Sequence, residues 1–318
     1  MKPELVQRQE VLSVPLASGG QRLDLFLVGA LEGVSRKAIK QALDGGQVFV
    51  DGRVARKAAQ PLLGGETLRL TLSGLPPRVA PAEPSLLLLD HDLLALNKPA
   101  GLPSHPTGSG QLDALSWACG WLRQQGDTGA PILLHRLDAD TSGVLLLART
   151  ADANRCLAGM FAQREMEKSY LALVAGTPPG EFSVDNYLRP GKRGRTQVVH
   201  SGGQRAQTRF RTLAQGPGFA LVEALPKTGR THQIRVHLAE SGYALLGDLL
   251  YGGAATLPGT ASGLVFRRHL LHARRLQFTH PRDGQRVRIE APIPADFLPL
   301  LGLLPDCAAE SLRLNLPE

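Results

Sequence analysis

The sequence predicts a protein of mixed helices and strands, arranged in two domains. Apolar runs of strand length, such as Ile132 to Leu134 and Val144 to Leu147, predict buried strands. Between Ser35 and Gly45 the apolar residues instead recur on one face of a helix. From Gly74 to Ser85 the sequence GLPPRVAPAEPS is rich in proline and has no amphipathic pattern, which is typical of a linker. We therefore predict a small module over residues 1–74, the linker over 75–85, a larger domain over 86–304 and a tail over 305–318.

The helix of the small module has two unlike faces. Four apolar side chains share one face: Ala38, Ile39, Ala42 and Leu43. Three basic side chains lie towards the other: Arg36, Lys37 and Lys40. Ser35 is placed to cap the start of this helix and Gly45 to end it. We expect one face to pack against the module and the other to remain basic.

A hairpin follows this helix. In QVFVDGRV, Val48 and Val50 alternate along a strand, and Asp51-Gly52 is a strong signal for a two-residue turn. Arg53 adds positive charge just beyond the turn. With the segment RLDLFL before the helix, this order resembles the small RNA-binding module of a small-subunit ribosomal protein, tyrosyl-tRNA synthetases and several RNA-modifying enzymes. The resemblance covers about residues 21–72; a helix-hairpin unit without RNA binding is the alternative.

The composition is that of a globular protein with an excess of positive charge. The 318 residues, 43% of them hydrophobic, are enough for a substantial core. Lysine and arginine number 36 against 28 acidic residues, a net charge of +8 that suits a polyanionic partner. No apolar run approaches the roughly 18 residues of a membrane span, and the first residues do not resemble a secretion signal. We therefore expect no membrane association and a cytoplasmic location.

Positive charge is concentrated in one stretch of the larger domain. No acidic residue occurs from Asn186 to Val222. Seven basic residues lie within it: Arg189, Lys192, Arg193, Arg195, Arg205, Arg209 and Arg211. A run of one sign is often only a solvated surface, and the alternative is a surface that follows the phosphates of a nucleic acid.

The strongest candidate for chemistry is Asp138, in the sequence HRLDADTSGVLLLA. It lies between the predicted strands Ile132 to Leu134 and Val144 to Leu147, in a loop whose residues 140–143 are turn formers. Loops on a rigid frame are where catalytic side chains are usually mounted. Taken alone, an aspartate here is more often a turn former than a catalyst.

Two further segments carry polar residues in apolar surroundings. Tyr170 lies in the predicted strand of REMEKSYLALVAG, although a lone tyrosine there is most often a core residue. In KTGRTHQIRVHLAESG, Thr231 is placed to cap a helix and Gly242 to end it, with His232 and Arg235 on one face. An arginine near the start of a helix opposes the helix dipole and needs an anion nearby. Asp138 is a candidate for that anion.

Other chemistries fit the sequence less well. His135, His232 and His237 lack the paired spacing of a strong zinc motif, so we expect no metal site. Asp138 and Asp140 form the D-x-D pair of haloacid-dehalogenase-type phosphatases, but the later threonine is displaced and no downstream lysine and acidic pair follows. The DTSG sequence is also close to the aspartic-protease loop, which needs a second copy that this chain lacks.

Six segments in order resemble the RluA-type family of RNA pseudouridine synthases. They are LALNKPAGLPSHP, HRLDADTSGVLLLA, KSYLALVAG, KTGRTHQIRVHL, ALLGDLLYGG and LLHARRLQFTHP. The resemblance covers nearly everything from Leu86 to about Pro299. The resemblance implies an α+β catalytic domain with a mixed, mostly antiparallel central sheet and a catalytic cleft, plus a small N-terminal α/β RNA-binding domain. That N-terminal addition is the arrangement of members that act on large-subunit ribosomal RNA, which is therefore the expected partner.

The resemblance also implies roles for single residues. Asp138 corresponds to the catalytic aspartate, Tyr170 to the base-stacking tyrosine, Arg235 to the arginine that pairs with the aspartate, and Arg136 to an arginine that enters the RNA beside it. We also expect RNA contacts from residues near these and from the small module: His135, Arg230, His232, Arg36, Lys37, Lys40 and Arg53.

The implied reaction turns uridine into pseudouridine by breaking the bond from sugar to N1 and joining the sugar to C5. It involves no net redox change or hydrolysis, so no metal or cofactor is expected. The reaction needs an ionised carboxylate, for which Arg235 supplies the counter-charge in a site that excludes water. The target uridine must also be extruded from the RNA stack. The competing classes are a ribosome-assembly protein without activity and a magnesium-dependent phosphatase; we expect a monomer.

Overall fold

The computed structural model describes residues 7–31, 34, 36–73, 82–107, 112–191, 194–257 and 264–305. These residues fall within two compact units, one in Met1–Ala80 and Pro106–Gln111 and the other in Pro81–His105 and Leu112–Glu318. Most of the predicted linker and all but the first residue of the predicted tail lie outside the described residues, as does the predicted helix cap Ser35. The domain boundaries therefore stay predictions.

The small unit is a four-stranded antiparallel sheet with two helices. Its elements are β1 (Gln7–Ser13), α1 (Leu23–Ala30), α2 (Arg36–Asp44), β2 (Val48–Val50), β3 (Arg53–Val54) and β4 (Thr67–Ser73). The strands lie in the order β1-β4-β2-β3. The predicted apolar face of α2 is buried, and Asp51 and Gly52 both have positive φ, at 48° and 77°, as a type I′ hairpin requires. The predictions for the helix and the hairpin are confirmed.

The large unit contains the remaining elements. Those before residue 180 are β5 (Ser85–Leu89), β6 (Leu93–Lys98), α3 (Ala114–Gln124), β7 (Ile132–Leu133), β8 (Ser142–Ala148), α4 (Ala151–Gln163) and β9 (Glu167–Ala175). Those after it are β10 (Glu181–Pro190), β11 (Thr196–Val199), β12 (Gln204–Gly216), β13 (Phe219–Pro226), α5 (Gln233–Glu240), β14 (Leu271–Thr279), β15 (Arg286–Glu290) and α6 (Leu298–Leu301). Within the described residues the helices have at most 13 residues, and none is long and apolar enough to cross a bilayer.

One large sheet organises this unit. Its strands lie in the order β11-β10-β12-β13-β9-β14-β8-β6-β5, with β15 beside β14 and β7 beside β8. The described pairs are antiparallel except β8 with β14, which is parallel. The structure therefore has the mixed, mostly antiparallel sheet that the resemblance implied.

Strand β8 is the buried centre that carries the Asp138 loop. Leu145 and Leu147 pack with α3, whereas Leu146 and Ala148 pack with α4 on the other face. A strand covered on both faces reads as a continuous apolar run, which explains why the sequence predicted it. The strand begins at Ser142, so the sequence was wrong to place residues 142 and 143 in the turn: both pair with β14.

Candidate active site

The Asp138 loop joins β7 to β8, and hydrogen bonds to its backbone hold it in place. The Ser104 hydroxyl donates to the Leu137 carbonyl at 2.8 Å and accepts from the Leu137 N–H at 3.0 Å. The Thr141 N–H donates to the Asp138 carbonyl at 3.0 Å, which closes the turn. The Asp138 side chain is 27% exposed. A rigid loop therefore presents a carboxylate that a substrate can reach.

Two buried cations hold the carbonyls that follow Asp138. The Lys98 ammonium donates to the carbonyls of Ala139, Pro99 and Leu102 at 2.8 to 2.9 Å. Arg268 donates to the Asp140 carbonyl at 3.0 Å. Burial lowers the pKa of Lys98 to about 7, although the neighbouring charge of Asp140 opposes the shift. Neither cation could be predicted from the sequence, because a lone lysine or arginine does not indicate which loop carbonyls it will contact.

Gly143 allows β8 to pass close to β14. It has φ of +115°, and a Cβ atom there would lie 2.2 Å from the Ala273 carbonyl oxygen. Such a distance is far inside van der Waals contact, so only glycine fits. The close approach sets the position of the loop relative to β14.

Arg235, the third residue of α5, pairs with Asp138. Its Nη1 donates to Asp138 Oδ2 at 3.0 Å, and its Nε and Nη2 donate to the two oxygens of Asp248 at 2.7 and 2.8 Å. Burial disfavours the charge, but the contacts with Asp248 and then Asp138 raise the pKa of Arg235 above its ordinary value. The expected anion for Arg235 is therefore present, together with a second one that the sequence analysis missed.

Asp248 comes from the ALLGDLLYGG segment, at the start of the 3-10 turn Leu249–Tyr251. Gly247 before it has φ of +77°, and a Cβ there would lie 1.9 Å from the Arg268 carbonyl oxygen. The sequence signal was an aspartate beside a glycine in an apolar segment, which a plain turn also shows.

Helix α5 begins one residue later than the sequence predicted. Its N-terminal flanking residue is His232, not Thr231, and His232 has the left-handed values φ 56° and ψ 18°. No side chain caps it there. Gly242, with φ of +85°, follows the end of the helix as predicted. The His232 Nε2 atom lies 3.8 Å from Asp138 Oδ2.

The strand β9 supplies Tyr170 and Lys168 to the same cleft. Burial, and next the charge of Asp138, raise the pKa of Tyr170 above its ordinary value, so the phenol keeps its proton. Burial, and next the charge of Arg230, lower the pKa of Lys168 to about 8. Among the described residues the Lys168 side chain has no hydrogen-bond or ion-pair partner, which leaves its ammonium available in the cleft.

A solvent-accessible cleft brings these side chains together. It is lined by Arg136, Leu137, Asp138, Thr141, Lys168, Tyr170, Pro226, Thr228, Gly229, Arg230, His232, Gln233, Ile234, Arg235 and Leu271. Gln233 holds one wall: its Oε1 accepts from the Arg230 N–H and the Thr228 hydroxyl, and its Nε2 donates to Gln207 and Thr208. The cleft therefore combines one accessible carboxylate, an aromatic ring and several cations.

The predicted RNA-contact residues of this unit are placed differently from one another. Arg136 is exposed at the cleft beside Asp138, and Arg230 is exposed at the opposite wall. His135 instead accepts a hydrogen bond from the Leu146 N–H at 3.0 Å and lies against the Phe161 ring. Burial, and next Lys168, lower the pKa of His135 to about 3, so its ring is neutral. These contacts favour a role for His135 in holding the loop.

In the small unit, Lys37, Lys40 and Arg53 are exposed, as an RNA-binding face requires. Arg36 is exposed too, but its guanidinium donates to Asp24, at 2.8 Å for the shorter bond. Part of its charge is therefore already neutralised within the unit.

Part of the positive charge of the basic stretch 186–222 is neutralised by acidic residues that are close in the fold but lie outside the stretch. Arg205 pairs with Asp185, Arg209 with Glu181, and Arg211 with Glu223, at 2.6 to 2.8 Å. The acidic partners lie on neighbouring strands, just outside the stretch. Arg189 and Arg195 are exposed and have no acidic partner among the described residues, whereas Lys192 and Arg193 lie outside them. No group of three or more potential metal-ligating side chains occurs in the part of the chain described.

Comparisons with known proteins identify the family of the chain. The RNA pseudouridylate synthase family profile matches residues 92–240, and the S4 domain profile matches residues 21–68. An uncharacterized RNA pseudouridine synthase of Chloroflexus aurantiacus is 37% identical over 96% of this chain and 97% of its own length. Ribosomal large subunit pseudouridine synthase D of Xanthomonas campestris is 34% identical over 95% of this chain and 94% of its own.

A solved structure shares the fold of the large unit. The human RNA Pseudouridylate Synthase Domain Containing 4 aligns with a TM-score of 0.56 and 27% identity, over 74% of this chain and 95% of its own. Fold, site and sequence define an isomerase with an added S4 domain. The chain belongs to the RluA family of RNA pseudouridine synthases.

Proposed function

We propose that this protein isomerises specific uridines of large-subunit ribosomal RNA to pseudouridine, with Asp138 as the catalytic carboxylate. The observation that carries the proposal is the Asp138–Arg235 contact of 3.0 Å in a cleft that also contains Tyr170. The choice of RNA is supported by the names of relatives such as the Xanthomonas campestris enzyme, which align over nearly their whole length. A cytoplasmic location and a monomeric state complete the proposal.

The reaction balances without a cofactor. The bond from C1′ to N1 breaks, the detached uracil turns, and a bond forms from C1′ to C5. N1 gains a proton and C5 loses one, so substrate and product are isomers. Asp138 acts as nucleophile or base on the uridine, and Arg235 stabilises its negative charge in both roles.

Tyr170 is proposed to stack on the detached uracil. Aromatic side chains bind unstacked bases in this way. Because the raised pKa of Tyr170 keeps the phenol protonated, Tyr170 is poorly suited to accept the proton that leaves C5. Asp138, which lines the same cleft, is then the carboxylate available to accept that proton.

The target uridine reaches Asp138 by turning out of the RNA. Extrusion costs a few kcal/mol, which contacts in the cleft and along the backbone offset. We propose that Arg136 fills the place of the extruded nucleotide, because it is exposed directly beside Asp138. Arg230, His232 and the exposed Lys37, Lys40 and Arg53 are proposed to bind the surrounding RNA.

Release of tritium from RNA labelled at C5 of uridine tests this function. The wild-type protein should release tritium without added metal, and Asp138→Asn should abolish release while RNA affinity stays nearly unchanged. Asp140→Asn, two residues along the same loop, is the matched control and should retain most of the activity. Substantial turnover by Asp138→Asn would contradict the role of Asp138. Mapping pseudouridines in ribosomal RNA from cells with and without the protein tests the choice of substrate.

A further inference from the structure

His232 holds a backbone conformation that side-chain-bearing residues rarely adopt. Its φ of 56° and ψ of 18° place it in the left-handed region immediately before α5. Strain of this kind persists where surrounding contacts hold it, and it is concentrated at functional sites. Its imidazole lines the cleft at 16% exposure, with Nε2 3.8 Å from the Asp138 carboxylate. The strained backbone therefore places a ring nitrogen beside the proposed catalytic group.

The other ring nitrogen of His232 contacts a tyrosine. The Tyr251 hydroxyl lies 2.8 Å from His232 Nδ1, and it accepts a hydrogen bond of 2.7 Å from the backbone N–H of Thr196. Since the backbone N–H can only donate, the hydroxyl acts as acceptor towards Thr196 and has its own proton to give to Nδ1. Burial raises the pKa of Tyr251, against opposing contacts with Thr196 and Arg235, so this proton is retained.

A histidine that accepts at Nδ1 carries its hydrogen on Nε2 when neutral. Burial lowers the pKa of His232, as does the charge of Arg235, although Asp138 and Asp248 oppose them. The Nε2–H group therefore faces Asp138, the one carboxylate in ion-pair range of Nε2 among the described residues.

The Tyr251 ring is held from several sides. The guanidinium carbons of Arg195 and Arg235 lie 5.3 and 5.1 Å from the ring centroid, within cation–π range. The His232 ring meets it edge to face, at 5.7 Å between centroids and 84° between planes. Arg195 and Thr196 belong to the β10–β11 hairpin, so this hairpin fixes the hydroxyl that orients His232.

We propose that the Thr196–Tyr251–His232 chain of hydrogen bonds is a positioning device that locks His232 as the neutral Nε2–H tautomer. In that form His232 donates a hydrogen bond to the Asp138 carboxylate when the cleft closes on RNA. The present 3.8 Å separation exceeds a hydrogen bond, and such contacts often tighten only in the substrate complex. No proton moves along the chain. The catalytic consequence rests on the proposed function, whereas the tautomer does not.

Nitrogen-15 NMR of the histidine-labelled full-length protein tests the tautomer directly. The His232 signals are assigned by their loss in His232→Asn, a residue type that also tolerates left-handed φ. The wild type should show an unprotonated Nδ1 and a protonated Nε2, and Tyr251→Phe should shift His232 towards a mixture of both tautomers. Tyr187→Phe, a matched change on the β10–β11 hairpin that contacts Tyr251, should leave the His232 signals unchanged. A wild-type Nδ1–H tautomer, or an unaltered pattern in Tyr251→Phe, would overturn the proposal.

Tritium release adds a readout that a merely structural role would not move. Tyr251→Phe should lower kcat roughly two- to tenfold, in proportion to the Nε2–H tautomer that is lost, with KM for RNA changed less than about twofold. The reason is that the donor to the reacting carboxylate is depleted while Arg136 and Arg230 are unchanged. Tyr187→Phe should match the wild type. An unchanged kcat, or a loss confined to KM, would overturn the proposal. Inactive wild-type protein with the expected NMR pattern would instead count against the proposed function alone.

Discussion

Arg235 and Asp248 form a bidentate ion pair that fixes the orientation of the Arg235 guanidinium. Both Asp248 oxygens accept from Arg235, at 2.7 and 2.8 Å, and the Asp248 side chain is only 1% exposed. Because the guanidinium is planar, fixing one edge determines where the remaining Nη points. It points at Asp138, at 3.0 Å. A buried carboxylate, Asp248, thus orients the guanidinium that contacts Asp138, the proposed catalytic carboxylate.

Asp248→Asn should therefore damage both the fold and the reaction. The amide cannot neutralise a buried guanidinium, so the free energy of unfolding should fall by about 3 kcal/mol. Without both Asp248 oxygens, the Arg235 guanidinium is no longer held in one orientation. Its contact with Asp138 should then be displaced, and kcat should fall by about 100-fold. Urea unfolding measures the first effect, and tritium release measures the second on protein that remains folded.

Asp185→Asn is the control for this substitution. Asp185 also binds an arginine with both oxygens, Arg205, at 3.0 and 2.6 Å, but at 44% exposure. A solvated pair contributes less than about 1 kcal/mol, so Asp185→Asn should change the unfolding free energy little. Equal losses in the two variants would show that burial of the Arg235 pair is not what matters.

The sequence predicted one half of this pair and not the other. Arg235 at the start of a helix required an anion, and Asp138 was a candidate, so their contact followed from charge and resemblance. Asp248 lies 13 residues beyond Arg235 in a different segment, and a glycine–aspartate pair there resembles many turns. The contact between Asp248 and Arg235 is evident only in the fold, which places the 3-10 turn Leu249–Tyr251 beside α5.

The start of α5 shows a conflict between local preference and tertiary structure. Threonine is a good capping residue, so the sequence placed the cap at Thr231. The structure gives that position to His232 in the left-handed region, where contacts with Asp138 and Tyr251 hold it. Local propensity contains no information about those partners. The same applies to Arg205, Arg209 and Arg211, whose acidic partners come from neighbouring strands.

Gly143→Ala should destabilise the large unit strongly. The added Cβ would lie 2.2 Å from the Ala273 carbonyl oxygen, and φ of +115° is strained for alanine. We expect a loss of more than about 3 kcal/mol, because the parallel contact of β8 with β14 must open. The unfolding midpoint in urea checks this expectation.

Gly159→Ala provides the comparison within the same unit. Gly159 lies inside α4, its φ is not positive, and a Cβ there would meet nothing within 4 Å. Alanine is favoured over glycine inside a helix by about 1 kcal/mol, so this variant should be more stable than the wild type. Similar losses at the two positions would contradict the assignment of the Gly143 effect to the close approach.

Lys168→Met should reveal the cost of the partly buried ammonium through pH. The pKa of Lys168 is lowered from 10.5 to about 8 by burial and by Arg230. A lysine with a lowered folded pKa binds its proton less tightly when folded, so its charge costs stability below pH 8. That cost disappears as pH rises from about 8 to 10.5. Relative to Lys168→Met, the wild type should gain about 3 kcal/mol over the whole window, because a change of one in pKa corresponds to about 1.4 kcal/mol.

Unfolding in urea at pH 7.5 and pH 10 measures that difference. Lys227→Met, at an exposed position near the same cleft, shows the size of the effects that follow from the loss of any lysine. A wild type that loses stability relative to Lys168→Met between the two pH values would have the opposite sign and would contradict the lowered pKa.

Arg189→Ala and Arg209→Ala should separate charge that binds RNA from charge that is already neutralised. Arg189 is exposed without an acidic partner among the described residues, whereas Arg209 donates to Glu181 at 2.7 Å. Each lost phosphate contact lowers the slope of log affinity against log salt by about 0.7 to 0.9. Arg189→Ala should therefore weaken RNA binding and flatten this slope, while Arg209→Ala should leave it near the wild-type value. Filter binding of ribosomal RNA fragments at roughly 50 to 200 mM salt, the range over which affinities that depend on phosphate contacts fall steeply, gives the slope for each protein. Equal slopes in all three proteins would mean that Arg189 binds no phosphate.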